Sequence, residues 1–375
     1  MTQPPAPQVL DTTSQPPPPE QLAPGSDLDR LARRLGCPLP AIERARQRTP
    51  AVRAALGRLA ADLCSEDCSL VVYGSLARAE WTPGSDVDWT LLVDGRASPT
   101  HLEVVRALSR RLDEGGYCRP GPSGVFGSIT FSHDLYNRIG GQQDSNDNTT
   151  QRVLLLLESV APAHPAARER TLRLLVERYL ADDRGLLHSR RPRLVPRYLA
   201  NDIVRYWRTM AVDFVDKQRG RGGAGWALRY AKLRLSRKLL FVSGMLACLG
   251  CELFIPPEVR AALSGPERSV APLAQHLLSF LRRPPLEVVA HALLHTEVRP
   301  ETAAQLLGAY DAFLAILEDD EQRKHLRQLP PDRLSDDPVF TQVSQLGRRF
   351  QEALAHMFFR DDPNLTRLMI DYGVF

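Results

Sequence analysis

The chain has 375 residues, 43% hydrophobic and 25% charged, with a formal net charge of +4. This length supports two domains with cores of their own. The mild basicity suits an anionic substrate and lacks the local basic block of a dedicated nucleic-acid binder. The N-terminus is polar, with no apolar signal region, and the six cysteines are scattered. The apolar run Leu239 to Cys251 is shorter than the ~20 residues that span a bilayer. A soluble protein of the reducing cytoplasm, with no membrane partner, is expected.

Residues 1–25 hold Pro4, Pro5, Pro7, Pro16 to Pro19 and Pro24, with almost no large apolar residues. Such a segment cannot bury enough surface to fold, so a disordered tail is expected. Ser26, Asp27 and Asp29 read as an N-cap and an acidic first turn, and Gly36 as the stop of that helix. Helical patterns follow at Pro40 to Arg48 and at Ala51 to Leu63. Ser69 to Tyr73 predicts a first strand and Val87 to Val93 a second, with Gly74-Ser75 as a tight turn into a short helix between them. Thr100 to Glu114 predicts a helix, with Leu102, Val105, Leu108 and Leu112 at helical spacing. Phe126 to Asp134 predicts a third strand. Its Ser128, Thr130, Ser132 and Asp134 alternate with apolar Ile129 and Phe131, so one face lines something wet. Beyond residue 150 the pattern is helical, over 150–160, 164–182, 196–217, 226–250, 257–263, 268–282, 286–295, 299–326 and 338–359.

The chemistry concentrates between the first two strands. Side chains two apart on a strand share a face, so Asp86 and Asp88 project together as a pair able to grip divalent metal. Gly74 permits close backbone approach. Ser75 offers an N–H and a hydroxyl to a triphosphate. A phosphate cradle beside paired carboxylates is the equipment of nucleotidyl transfer.

The run Gly74-Ser75-Leu76-Ala77-Arg78-Ala79-Glu80, followed by Gly84-Ser85-Asp86-Val87-Asp88, resembles the signature of the DNA polymerase β-like nucleotidyltransferases. The resemblance covers about residues 55–135. It implies an α+β chain, with a small mixed-sheet nucleotidyltransferase domain at 26–160 and an all-α domain at 161–375. It implies an enzyme that moves an NMP from an NTP, ATP foremost, to an acceptor hydroxyl and releases pyrophosphate. It further implies two Mg²⁺ ions, with Mn²⁺ as a substitute, on Asp86, Asp88 and a third carboxylate. Asp134 is the candidate, through the parity of its strand. Gly74 and Ser75 would meet the phosphates. Arg78 would neutralise them or else face solvent from its helix. Arg229, Lys232 and Ser236 stand at i, i+3 and i+7 after a basic Gly-rich connection, Lys217 to Gly225. In such families a Lys and a Ser of the helical domain often reach the triphosphate, so Lys232 and Ser236 are nucleotide-binding candidates.

Other readings stay open. The acceptor is a small molecule, a protein side chain or an RNA end, and the oligomeric state is unread. Without a third carboxylate the chain reads as a catalytically weak nucleotide-binding regulatory protein or a toxin–antitoxin component. Arg349 and His356 have the spacing of the Arg-x4-6-His motif of HEPN ribonucleases, a spacing that an arginine-rich chain also gives by chance. The polar loop from Ile139 to Arg152 reads as a lid or as a solvent loop. Cys248 and Cys251 have metal-ligand spacing but lie in an apolar helix, where thiols are commonly buried.

Overall fold

In the computed structural model, residues 25–121, 125–181, 183, 185–186, 193–220, 225–264 and 269–374 are described. The tail expected at residues 1–25 lies outside them except for Gly25, as do residues 221–224 of the Gly-rich connection. Four strands form one mixed sheet: β1 (Cys68–Tyr73), β2 (Trp89–Val93), β3 (Ser128–Phe131) and β4 (Ser159–Ala163), in the order β3-β2-β1-β4. The helices of the first half are α1 (Asp27–Leu35), α2 (Pro40–Ala60), α3 (Gly74–Ala77), α4 (Thr100–Glu114), α5 (Ser132–Asn137), α6 (Asn146–Leu157) and α7 (Ala166–Ala181). Those that follow are α8 (Arg197–Gly220), α9 (Trp226–Lys232), α10 (Lys238–Leu253), α11 (Pro257–Ser264), α12 (Ala271–Leu281), α13 (Pro285–His295), α14 (Pro300–Glu318), α15 (Asp320–Gln328), α16 (Pro338–His356) and α17 (Pro363–Met369). The chain is thus α+β, mainly helical, with a small sheet.

β1 and β2 are buried at every residue, as central strands covered on both faces must be. β1 runs antiparallel to β2 and β4, and β2 runs parallel to β3. Leu70 and Val72 of β1 join Leu91 and Val93 of β2 beneath Leu56 of α2 and Leu108 and Leu112 of α4. Val71, Tyr73 and Leu92 face the other way. They enter a core that continues through α6 and α7 into the C-terminal helices.

The sheet departs from expectation in two places. The third strand stops at Phe131, and Ser132–Asn137 turn into α5 with Asp134 in its first turn, where an acid favours the helix N-terminus. Of its polar residues Ser128 is exposed, whereas Thr130 and Ser132 are buried, and the Ser132 hydroxyl donates to Asp94 Oδ1 at 2.7 Å. The fourth strand, Ser159–Ala163, stands where the sequence pattern predicts the end of one helix at 160 and the start of the next at 164. Pro162 sits in it because β4 lies at the sheet edge, where a missing N–H is tolerated.

α1 is as expected, with the Ser26 hydroxyl accepting from Asp29 N–H and Gly36 closing it in the left-handed region. The two helices expected at 40–63 are one, α2, which passes through Pro50. The proposed domain boundary at residue 160 falls inside β4. α1 and α2 also belong with the C-terminal helices. Leu28 N–H donates to Glu287 Oε2 of α13 at 3.2 Å, and Ile42 N–H donates to Asp311 Oδ1 of α14 at 2.9 Å. The helical body therefore embraces the sheet from both ends of the sequence. Among the described residues no single helix is long and apolar enough to cross a membrane.

Candidate active site

The site begins where β1 ends. Val72 pairs with Trp89, and Tyr73 N–H donates to Asp88 O at 2.9 Å. This sets Gly74 beside Asp88. Gly74 has φ +65°, and a Cβ there would stand 3.3 Å from Asp88 Oδ2. Both the backbone and the close approach call for glycine. α3 then turns away, and Arg53 of α2 binds its carbonyls at Leu76 (2.8 Å) and Ala77 (2.9 Å).

The chain returns through Thr82 and Ser85 to the carboxylate pair. Asp86 bridges to Cys118, and Val87 N–H donates to Cys118 O at 3.0 Å. Extended backbone thus precedes β2. Val87 points into the core, and the side chains on either side, Asp86 and Asp88, line a cleft. The shared face expected of the pair is present, although the two acids lie just ahead of the strand.

The opposite wall comes from the helix Trp226–Leu253. Between α9 and α10 the residues Leu233–Arg237 form a π turn. An α-helix advances about 100° per residue, which would turn Arg237 well away from Lys232. The wider π turn carries an extra residue and brings Lys232, Ser236 and Arg237 to the same cleft. Arg229, expected on that stripe, does not line it. Phe313, Leu314 and Leu317 of α14 and Arg323 of α15 complete the walls of a space of about 550 Å³, open mouth included. Arg323 Nη1 donates to Thr82 Oγ1 at 3.0 Å and Pro83 O at 3.3 Å, fixing the loop that leads into Asp86.

Beneath the cleft lies a buried charge network. Arg78 binds Glu80 Oε2 at 2.8 Å and also binds Glu158. Arg237 Nη1 binds Glu158 Oε1 at 2.9 Å, and Tyr310 OH donates to Glu80 Oε2 at 2.9 Å. Burial disfavours the Arg78 charge, but Glu80 and Glu158 outweigh it and hold the guanidinium above its ordinary value. Arg78 therefore reaches the cleft as a clamped cation and not as a solvent-facing helix residue.

Asp86, Asp88 and Lys232 differ from this network. Among the described residues none donates a hydrogen bond to either aspartate carboxylate, and none pairs with the Lys232 ammonium. Burial pushes the Asp88 carboxyl up; Arg237 and Lys232 pull against it, Asp86 and Glu158 add to it, and the net is upward. Burial pushes Lys232 down to about 8, against the pull of Asp86. A desolvated carboxylate, Asp88, its half-buried neighbour Asp86 and a desolvated ammonium, Lys232, thus face one cleft, each without a close partner among the described residues. Hard oxygen donors of this kind suit Mg²⁺ or Mn²⁺.

The structure brings Gly74, Ser75, Arg78, Asp86, Asp88, Lys232 and Ser236 together around this cleft. It does not bring Asp134. β2 and β3 are parallel, with Phe131 beside Val93, so Asp134 follows the end of the strand far from Asp88. Its carboxylate is exposed and paired with Arg138 at 2.6 Å. The Ile139 to Arg152 loop is pinned: fully buried Arg152 binds Asp144 at 3.0 Å and Asp202 of α8 at 2.6 Å. Cys248 and Cys251 are fully buried in α10, and burial raises both thiols. Arg349 is exposed, while His356 Nδ1 contacts Arg299 Nη2 at 2.7 Å.

Sequence reasoning missed Arg237, Glu158, Tyr310 and Arg323. Arg237 becomes a cleft residue only through the π turn, which no spacing rule reveals. The other three meet the motif across long sequence separations and carry no local signal. No protein-family model matches the chain, and no curated protein matches it.

Proposed function

We propose that the protein is a metal-dependent nucleotidyltransferase that moves an NMP from an NTP, ATP foremost, to an acceptor hydroxyl and releases pyrophosphate. One observation carries this reading: Asp86 and Asp88 on one wall and Lys232 on the other face the same cleft without hydrogen-bond or ion-pair partners among the described residues, and burial disfavours the charge on both Asp88 and Lys232. A ligand that satisfies both walls carries divalent cations on one side and phosphate on the other. Asp86 and Asp88 would hold the cations, two Mg²⁺ in the full form of the reading. When bound, the metal offsets charge on the transferring phosphoryl group and lowers the pKa of an attacking hydroxyl. Gly74 keeps the space beside Asp88 clear. Lys232 and Ser236 would receive the terminal phosphates, with Arg237 and Arg78 as fixed positive charge behind them. Ser75 would contact phosphate at the end of β1.

A second reading has an observation of its own. With Asp134 outside the cleft, Glu80 is the one further acid among the lining residues, and Tyr310 and Arg78 already occupy its Oε2. A site with two free carboxylates, and with a third, Glu80, engaged at one oxygen while its buried Oε1 has no hydrogen-bond partner among the described residues, suits a regulatory nucleotide-binding protein, or a toxin–antitoxin component, with weak turnover. Incubation of the purified chain with α-labelled NTPs, Mg²⁺ and a cell extract separates the two. A labelled adduct with matching pyrophosphate release supports transfer and identifies the acceptor class. Metal-dependent nucleotide binding with no adduct supports the regulatory reading.

A further inference from the structure

We propose that Asp27, His291 and His295 form a second metal site, for a borderline dication of the zinc class, joining α1 to α13. It lies outside the nucleotide cleft, among none of the residues that line it.

His291 and His295 stand at i and i+4 on α13, so they share one helix face, and their ring centroids are 4.5 Å apart. Asp27, in the first turn of α1, sets its Oδ2 2.9 Å from His291 Nδ1. One ligand atom from each of the three residues falls within 4.8 Å of the other two. The helices that carry them are fixed to each other, since Leu28 N–H donates to Glu287 Oε2 one turn away at 3.2 Å. Phe254 and Phe280 meet the His291 ring edge-on at 5.0 Å and 5.3 Å, holding its orientation. His295 is exposed, and among the described residues it makes no hydrogen bond or ion pair. Two imidazole nitrogens and a carboxylate oxygen are the donors that zinc takes, with water filling the remaining positions.

A cation already occupies this position. Arg283 Nη1 stands 3.3 Å from Asp27 Oδ2 and 3.5 Å from His291 Nδ1. Its guanidinium lies over the Phe280 ring at 5.2 Å, and its side chain is 37% exposed, so it has room to swing outward. Arg30 binds the other carboxylate oxygen, Oδ1, and leaves Oδ2 to the metal. Arg283 and zinc therefore compete for one place.

The test uses the full chain, stripped with chelator and then dialysed against Zn²⁺, with bound metal counted by mass spectrometry and the Co²⁺ form examined by visible absorption. The expected result is one zinc per chain. His295→Ala, at an exposed position that leaves the Asp27–His291 pair in place, should weaken binding about tenfold or more, as even outer-shell changes at metal sites do. Arg283→Gln should tighten it. Asp86→Asn with Asp88→Asn should leave it unchanged, which separates this site from the cleft. The proposal is overturned if the wild-type chain retains no zinc. Equal binding by His295→Ala, or a thiolate charge-transfer band in the Co²⁺ form, also overturns it.

Discussion

Gly74→Ala tests the geometry of the cleft at its tightest point. Gly74 has φ +65°, and the added Cβ would lie 3.3 Å from Asp88 Oδ2. A residue with a Cβ loses about 1–2 kcal/mol in the left-handed region, and a stiffer unfolded chain returns about 0.4–1 kcal/mol. The net loss is about 1 kcal/mol, or a few °C in Tm for a chain of this size. Gly36 supplies the control. It has φ +60° at the end of α1, and nothing lies within 4 Å of its would-be Cβ. Gly36→Ala therefore carries the same backbone strain without touching the cleft. Both variants should melt a few degrees below the wild type. Only Gly74→Ala should lose Mg²⁺·ATP affinity, because its Asp88 carboxylate must give way to the added Cβ. Thermal melts with and without Mg²⁺·ATP read both effects. Equal nucleotide affinity in the two variants would refute the claim that Gly74 keeps the Asp88 side of the cleft open.

Lys232→Met should weaken ATP binding and raise Tm in the absence of nucleotide, since it removes a desolvated ammonium. Burial lowers Lys232 from 10.5 to about 8, so below about pH 8 the folded state bears the full penalty. As pH rises from about 8 towards 10.5 the folded form releases its proton first, and stability rises. The Tm gain of Lys232→Met should therefore be largest below pH 8 and shrink above it, and a pH-independent gain would contradict the assignment. Asp134→Asn should leave nucleotide turnover unchanged, because its carboxylate is exposed and paired with Arg138; a large fall in kcat would restore it as the third acid. Glu158→Gln should destabilise the fold, since it loosens two buried guanidinium groups, Arg78 and Arg237. Breaking one partner of a buried ion network costs about 3–5 kcal/mol, and a Tm within a degree of wild type would show that the network does not hold the cleft floor.

The local chemistry of the motif was legible because its determinants are local. Gly74 is set by its own φ, and Asp86 and Asp88 by period-two geometry on either side of buried Val87. Ser26 and Gly36 announced α1 by their capping chemistry. Asp134 failed because the parity argument assumed that the strand continued. Thr130 and Ser132, expected to face a cleft, are buried, Ser132 against Asp94. β4 was hidden by its alanines and Pro162, which only an edge position accommodates. The joining of α1 and α2 to the C-terminal helices was not legible for a different reason. α1 and α2 read as ordinary amphipathic helices, and nothing in them says that their apolar faces meet α13 and α14, more than 250 residues later. Arg237 and Arg323 show the same limit at the site, one depending on a π turn and the other on tertiary packing.

Calorimetric titration of the purified full chain with ATP, with and without Mg²⁺, tests the central claim most directly when repeated on Asp86→Asn/Asp88→Asn. The expected result is Mg²⁺-dependent binding by the wild type that the double variant loses while melting at or above the wild-type temperature, because burial and the neighbouring Asp86 charge both disfavour the Asp88 carboxylate. Equal ATP affinity in both proteins, or none in either with Mg²⁺ present, would contradict the account.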